Sequence, residues 1–277
     1  MIAALIIVLR EVIEAGLIIG IILAATRQIP GRMVYIVGGI AGGLIGSGLL
    51  AFFAGALADM LEGMGQEIFN ASILIIAVAM LTWHNVWMAR HGRAMGEEIQ
   101  KFGHAVREGS QTLSALAIVI GIAVLREGSE VVLFLYGVLA SKGASGLQVF
   151  LGGLGGLALG IALSLFTYSG LVIIPLKHLF RVTSLLLAFM AAGMAAQAVA
   201  FLEQADLLTA LTKTAWNTSA YLSETSLGGK VLHALLGYTD RPSQMQVLIY
   251  LLTLGVTFLF MKLLAPPPRT DRRLVTP

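Results

Sequence analysis

Arg10-Glu11-Val12-Ile13-Glu14 and, 116 residues later, Arg126-Glu127-Gly128-Ser129-Glu130 decide how this chain folds. Both follow Arg-Glu-x-x-Glu, and each interrupts a long apolar run. An ionised group at membrane depth costs roughly 2.5–3.5 kcal/mol on insertion scales. Six such groups call for a function or thorough internal pairing. Within each island the glutamates are three apart and so share one helix face, while Arg and the second Glu, four apart, can pair. Each island keeps about one uncompensated negative charge, which a bound cation would balance.

The surrounding chain explains why the islands lie in a membrane. Its 277 residues are 57% hydrophobic and only 12% charged, with mean hydropathy +0.89. That is too apolar for a soluble domain of this size. The expected fold is an all-α polytopic membrane protein. No cysteine is present, which excludes a disulfide framework, thiolate metal sites and a cysteine nucleophile. The net charge of +3 requires no nucleic-acid partner. The N-terminal stretch lacks a basic leader and reads as a retained first span rather than a cleavable signal.

At about 20 residues per crossing, seven spans are expected: Ile2–Thr26, Val34–Ala58, Ile68–Met88, Leu113–Ala140, Leu147–Leu171, Val182–Leu202 and Val247–Leu264. Longer links run over Arg90–Gln111, which is polar, and Glu203–Gln246, which mixes polar residues with amphipathic turns. With the N-terminus outside, twelve Lys and Arg fall on the inner side and four on the outer: Lys142, Lys213, Lys230 and Arg241. Arg10 and Arg126 complete the eighteen. The positive-inside bias therefore sets the N-terminus out and the C-terminus in. Asp59, Glu62, Glu67, Glu203, Asp206, Glu224 and Asp240 then make the outer face acidic, which concentrates cations.

The islands are the visible part of an internal repeat. Aligned at an offset of 114, Gly38, Gly39, Gly42 and Gly46 match Gly152, Gly153, Gly156 and Gly160, and Phe52 matches Phe166. Three spans per copy place the second copy upside down, the inverted-repeat plan of many transporters, with substrate near the midplane. The expected organisation is a first three-helix repeat with its inner loop (1–107), a second (108–204), an outer loop (205–246), a seventh span (247–264) and an inner tail (265–277). The ladders Gly38-Gly42-Gly46 and Gly152-Gly156-Gly160 have the spacing that lets helices approach closely, within one chain or in a homo-oligomer.

A two-fold relation between repeats brings Glu11, Glu14, Glu127 and Glu130 together as a hard, all-oxygen ligand set, suited to hard or borderline cations. Arg10 and Arg126 temper the charge of the empty site. Met190 and Met194 read as core filling. His84, beside Trp83 and Trp87 near the inner end of the third span, reads as an interfacial side chain. Glu67, Glu203 and Asp206 are candidates for an outer entrance station.

With these residues in hand, the chain resembles the high-affinity iron permease family, which includes fungal oxidase-coupled and bacterial Efe-type permeases of the iron/lead transporter superfamily. The resemblance spans nearly the whole chain. It rests on both islands, on Leu81-Thr82-Trp83, on Ala191-Ala192-Gly193, and on Gly237-Tyr238 with Pro242-Ser243. It implies seven spans, an outer N-terminus, iron as the transported ion without a separate cofactor, and Glu11, Glu14, Glu127 and Glu130 as its ligands. An extracytoplasmic oxidase and an iron-binding protein are implied as partners. The family motif is Arg-Glu-Gly-x-Glu; this chain keeps Gly128 but has Val12 in the first copy. The expectation is an iron permease of the plasma membrane, the inner membrane of a bacterium. The alternatives are a carrier of lead, manganese or another divalent ion, and an intramembrane enzyme using paired carboxylates. Against an enzyme, the chain lacks His-Glu-x-x-His and a Ser/His constellation. A third alternative is a subunit whose ion pairs only hold helices together.

Overall fold

A computed structural model describes residues 1–60, 65–141, 145–170 and 176–264, without the side chains of 57–60, 89–95 and 176–180. Among these the chain is helical: α1 (Ile2–Ala25), α2 (Arg32–Met60), α3 (Gln66–Arg107), α4 (Leu113–Ala140), α5 (Gly146–Tyr168), α6 (Leu176–Gln204), α7 (Leu227–Leu236) and α8 (Gln244–Leu263). Glu62, Lys142 and the tail 265–277, with the side chains of Asp59, Arg90, Arg93 and Lys177, lie outside the described residues.

Local chemistry sets the ends. Thr112, Ser145, Ser226 and Ser243 each accept a backbone N–H three residues ahead, satisfying a donor the first helical turn cannot. Ser243 and Gln246 form a reciprocal capping box.

Five described helices, or parts of them, are long and apolar enough to cross a membrane: Arg32–Ala56, Gln66–Met88, Gly146–Tyr168, Arg181–Gln204 and Gln244–Leu263. α1 and α4 have the length, at 24 and 28 residues, but each carries the three charges of an island. Large apolar side chains such as Phe52, Phe53, Phe150 and Leu165 face outward on α2 and α5, the pattern of helices solvated by lipid rather than water. Helix α3 departs from expectation. The polar stretch after Met88 is no loop: α3 continues to Arg107 over 42 residues, about 63 Å at 1.5 Å per residue and roughly twice the hydrocarbon thickness. Its far half packs back on α1, where Gly103 faces Ala25.

The main pairings are α1 with α5, α2 with α4, and α3 with α6. The first two depend on glycine: α5 uses the expected ladder, whereas α2 meets α4 chiefly through the ladder one residue further on. A Cβ at Gly39 would lie 2.5 Å from the Ala117 carbonyl oxygen, and one at Gly43 2.6 Å from Val124 Cβ. Gly38 and Gly42 face open space instead. On the other pair, Gly156 approaches Leu5 and Leu9, and Gly160 approaches Val12. The contacting sets are thus Gly39, Gly43 and Ser47 on α2, and Gly152, Gly156 and Gly160 on α5.

This register accounts for Val12. Where the first island carries a side chain, its partner position is Gly160; where the second carries Gly128, its partner is Ser47. Bulk is exchanged across the interface. Gly128→Val is therefore expected to force α2 off α4, at a cost of about 1–3 kcal/mol or more for overpacking. Adding Ser47→Gly should recover most of it. Thermal unfolding in detergent checks this; equal stability of the single and double variants would contradict it.

Above the helices, the segment between α6 and α8 is held by Thr218 Oγ1 to Tyr238 Oη at 2.6 Å and Tyr250 Oη donating to Leu236 O at 2.7 Å. Gly237 ends α7 at φ +68 and touches Gly193 of α6, backbone against backbone. Gly237→Ala needs a left-handed Ala and a Cβ inside α6. Such a variant is expected to fall by several kcal/mol and to lose folded protein in size-exclusion chromatography.

Candidate metal centre

The two islands meet at mid-helix. Arg10 Nη1 lies 3.2 Å from Glu11 Oε1 and Nη2 lies 3.0 Å from Glu14 Oε1. On α4, Arg126 Nε lies 3.3 Å from Glu130 Oε1 and 4.0 Å from Glu127 Oε1. All four glutamates and Arg10 are buried. Arg126 is not: its side chain keeps 37% of its exposure and stacks over Trp87, 4.2 Å from the ring centre. Its hollow is lined by Met80, Trp83, His84, Trp87, Arg126 and Glu130. Arg126 and Glu130 face this hollow, while Glu11 and Glu127 line another, largely apolar one between α1, α2, α4 and α5.

Between the islands stands His84, where the structure corrects the interfacial reading. His84 is 3% exposed, while its neighbour Trp83 is 71% exposed. Its Nε2 lies 3.6 Å from Glu14 Oε2 and 3.8 Å from Glu11 Oε2, and its Nδ1 meets Glu130 Oε2. Phe134 closes one side, ring edge to face at 6.4 Å. Asn85 fixes this turn of α3 by donating Nδ2 to Ser184 O at 2.9 Å.

The donor set is accordingly oxygen plus one nitrogen. Glu11, Glu14 and His84 each offer a ligand atom, all within 4.8 Å of one another, and Glu11, Glu127 and Glu130 do the same. Oε2 of Glu11, Glu14 and Glu127 has no hydrogen-bond partner. Buried carboxylate oxygens without donors are costly unless a cation compensates them. Carboxylate with imidazole suits borderline divalent metals such as Fe2+.

Of the residues expected at an outer entrance, Glu203 and Asp206 line one hollow with Glu224, Gln197, Arg241 and Gln246. Glu203 Oε1 accepts from Ser243 Oγ at 2.7 Å. Glu67, at the start of α3, is exposed and lies outside that lining. An adjoining hollow shares Gln197 and Glu224 and reaches Met1, Met190 and Met194. The N-terminus and the α6–α8 segment therefore occupy the same end of the helices. Met190 and Met194 sit in the core, as expected.

Comparison with known proteins gives a consistent result. Residues 1–266 match the iron permease FTR1 family. The chain is 33% identical over 271 residues to "Ferrous iron permease EfeU" of Escherichia coli O6:H1, covering 95% of each. It is 32% identical to the protein of that name from Shigella sonnei, again over 95% of each. No solved structure matches the chain.

Proposed function

The chain belongs to the iron permease FTR1 family, and from that premise we propose that it carries ferrous iron across a bacterial inner membrane through the carboxylate cluster of Glu11, Glu14, Glu127 and Glu130. It is a transporter rather than an enzyme. The observation that carries the route is the convergence of four buried glutamates, three with a partnerless oxygen, from two islands set in apolar helix.

In this reading seven helices cross the bilayer, α1 and α4 spanning despite their islands, with the N-terminus outside. The repeats 1–107 and 108–204 are inverted copies. The pairing of α1 with α5 and of α2 with α4 supports this, because exchanging the two halves turns one pair into the other. Iron gathers in the outer hollow of Glu203, Asp206 and Glu224, enters the cluster, and leaves inward as one repeat moves against the other. An outer oxidase and an iron-binding protein as suppliers, and a homo-oligomer, belong to the same proposal.

The test is uptake of radioactive iron by cells lacking other iron importers. Glu14→Ala and Glu130→Ala should each abolish uptake while the protein stays in the membrane; wild-type uptake in either sinks the site. Manganese or lead that suppresses iron uptake when present at equal concentration would favour the broader cation carrier. Glu203→Gln should act differently. Because it removes one charge from the outer hollow, uptake at low iron should fall severalfold and recover at saturating iron. A loss that persists at saturation would place Glu203 in the transport step itself.

A further inference from the structure

The cluster is not one symmetric cage. Its ligand atoms group into two triads that share a single residue, Glu11. One triad, with Glu14 and His84, includes a nitrogen; the other, with Glu127 and Glu130, is all oxygen. His84 is buried, and its two nitrogens face opposite islands, Nδ1 against Glu130 and Nε2 toward Glu14 and Glu11, with no backbone partner for either. A histidine serving only to brace helices would satisfy its ring nitrogens locally, as His233 does with Tyr238 O at 2.8 Å.

We infer that the permease holds its ion at two overlapping stations, a nitrogen-containing one at Glu11, Glu14 and His84 and an all-oxygen one at Glu11, Glu127 and Glu130, and passes it between them around Glu11. This rests on the iron-site reading above and deepens it. Because Glu11 belongs to both, the ion keeps one ligand throughout the exchange, so it is never stripped at membrane depth; in this proposal a single ion moves between them. The stations also divide selectivity. The imidazole favours Fe2+ over Mn2+ or Mg2+, which prefer oxygen ligands. Passage through the oxygen triad then requires only a divalent charge. Oxygen-preferring ions would be screened at the first station.

The test uses the full chain purified anaerobically in detergent, with Fe2+ and Mn2+ titrations and pulsed electron paramagnetic resonance of bound Cu2+ as a probe of imidazole coordination. Wild type should bind one ion and show a single imidazole coupling. His84→Gln should remove that coupling and weaken Fe2+ by at least the 10–100-fold typical of supporting groups, with much less change for Mn2+. Glu130→Gln should keep the imidazole coupling and most Fe2+ affinity yet slow transport in vesicles severalfold, because the second station has lost a charged ligand. An unchanged coupling and Fe2+/Mn2+ ratio in His84→Gln would overturn the inference. So would wild-type binding without imidazole, or two ions bound at once. Those results leave the carboxylate route standing, whereas failure of wild type to bind or transport Fe2+ removes the route itself.

Discussion

Replacing Glu11 with Gln is expected to do more damage than the same replacement at any other of the four glutamates. Glu11 belongs to both groups of ligand atoms and is 1% exposed, so water cannot take its place. Gln keeps the size and one oxygen but removes the charge that offsets a divalent ion. The loss of iron uptake should exceed about 100-fold, the upper end of what removing a mere supporting partner costs. Glu127→Gln, at the matching position of the second island, removes one ligand from one triad and should leave residual uptake. Comparing initial uptake rates at equal membrane abundance decides this. Equal rates for Glu11→Gln and wild type would remove Glu11 from the path, and a larger defect in Glu127→Gln would reverse the assigned asymmetry.

The second large effect concerns the arginines, which look equivalent in sequence and are not in space. Arg10 is 1% exposed and pairs with Glu11 and Glu14. Removing one partner of a buried ion pair costs about 3–5 kcal/mol, because a charge is left uncompensated. Arg10→Ala should therefore leave little folded protein in detergent. Arg126, more than a third exposed and stacked on Trp87, is not enclosed with its two carboxylates as Arg10 is, so its removal disturbs less of the packed interior. Arg126→Ala should fold. Adding Glu14→Ala to Arg10→Ala removes both charges together and should restore folding but not transport. Gel filtration and thermal unfolding of the three variants give the answer; an Arg10→Ala protein as stable as wild type would show that Arg10 is not the charge that balances the first island.

What could be read in the sequence, and what could not, follows from how each residue announces itself. Arg10, Glu11, Glu14 and their counterparts stand out because charge in an apolar run has no cheap explanation, and the structure does bring them together. His84 does not stand out, since one histidine beside two tryptophans looks interfacial. Its signal was the stripe Leu74, Ala77 and Leu81, buried at helical spacing, which continues to His84 and leaves Trp83 on the other side. The glycine register slipped for a different reason. α2 offers Gly38, Gly39, Gly42, Gly43 and Gly46, so two four-residue ladders fit. Matching identical residues selects a ladder whose Gly38 and Gly42 face open space, with only Gly46 in contact, whereas packing selects the one that ends in Ser47. Helix α3 outran its span because hydropathy reports where a bilayer ends, not where hydrogen bonding does. Glu67 was grouped with Glu203 and Asp206 by charge and side alone, and neither specifies a shared hollow.

The most direct measurement is Fe2+ flux into proteoliposomes that contain the purified chain and an iron-quenched fluorescent chelator inside. Wild-type protein should give saturable quenching. The Glu14→Ala/Glu130→Ala double variant, reconstituted at the same density, should give none above protein-free vesicles. Saturable flux through the double variant at the wild-type rate would contradict the proposed site, because iron would then be crossing by a route that avoids the buried carboxylates.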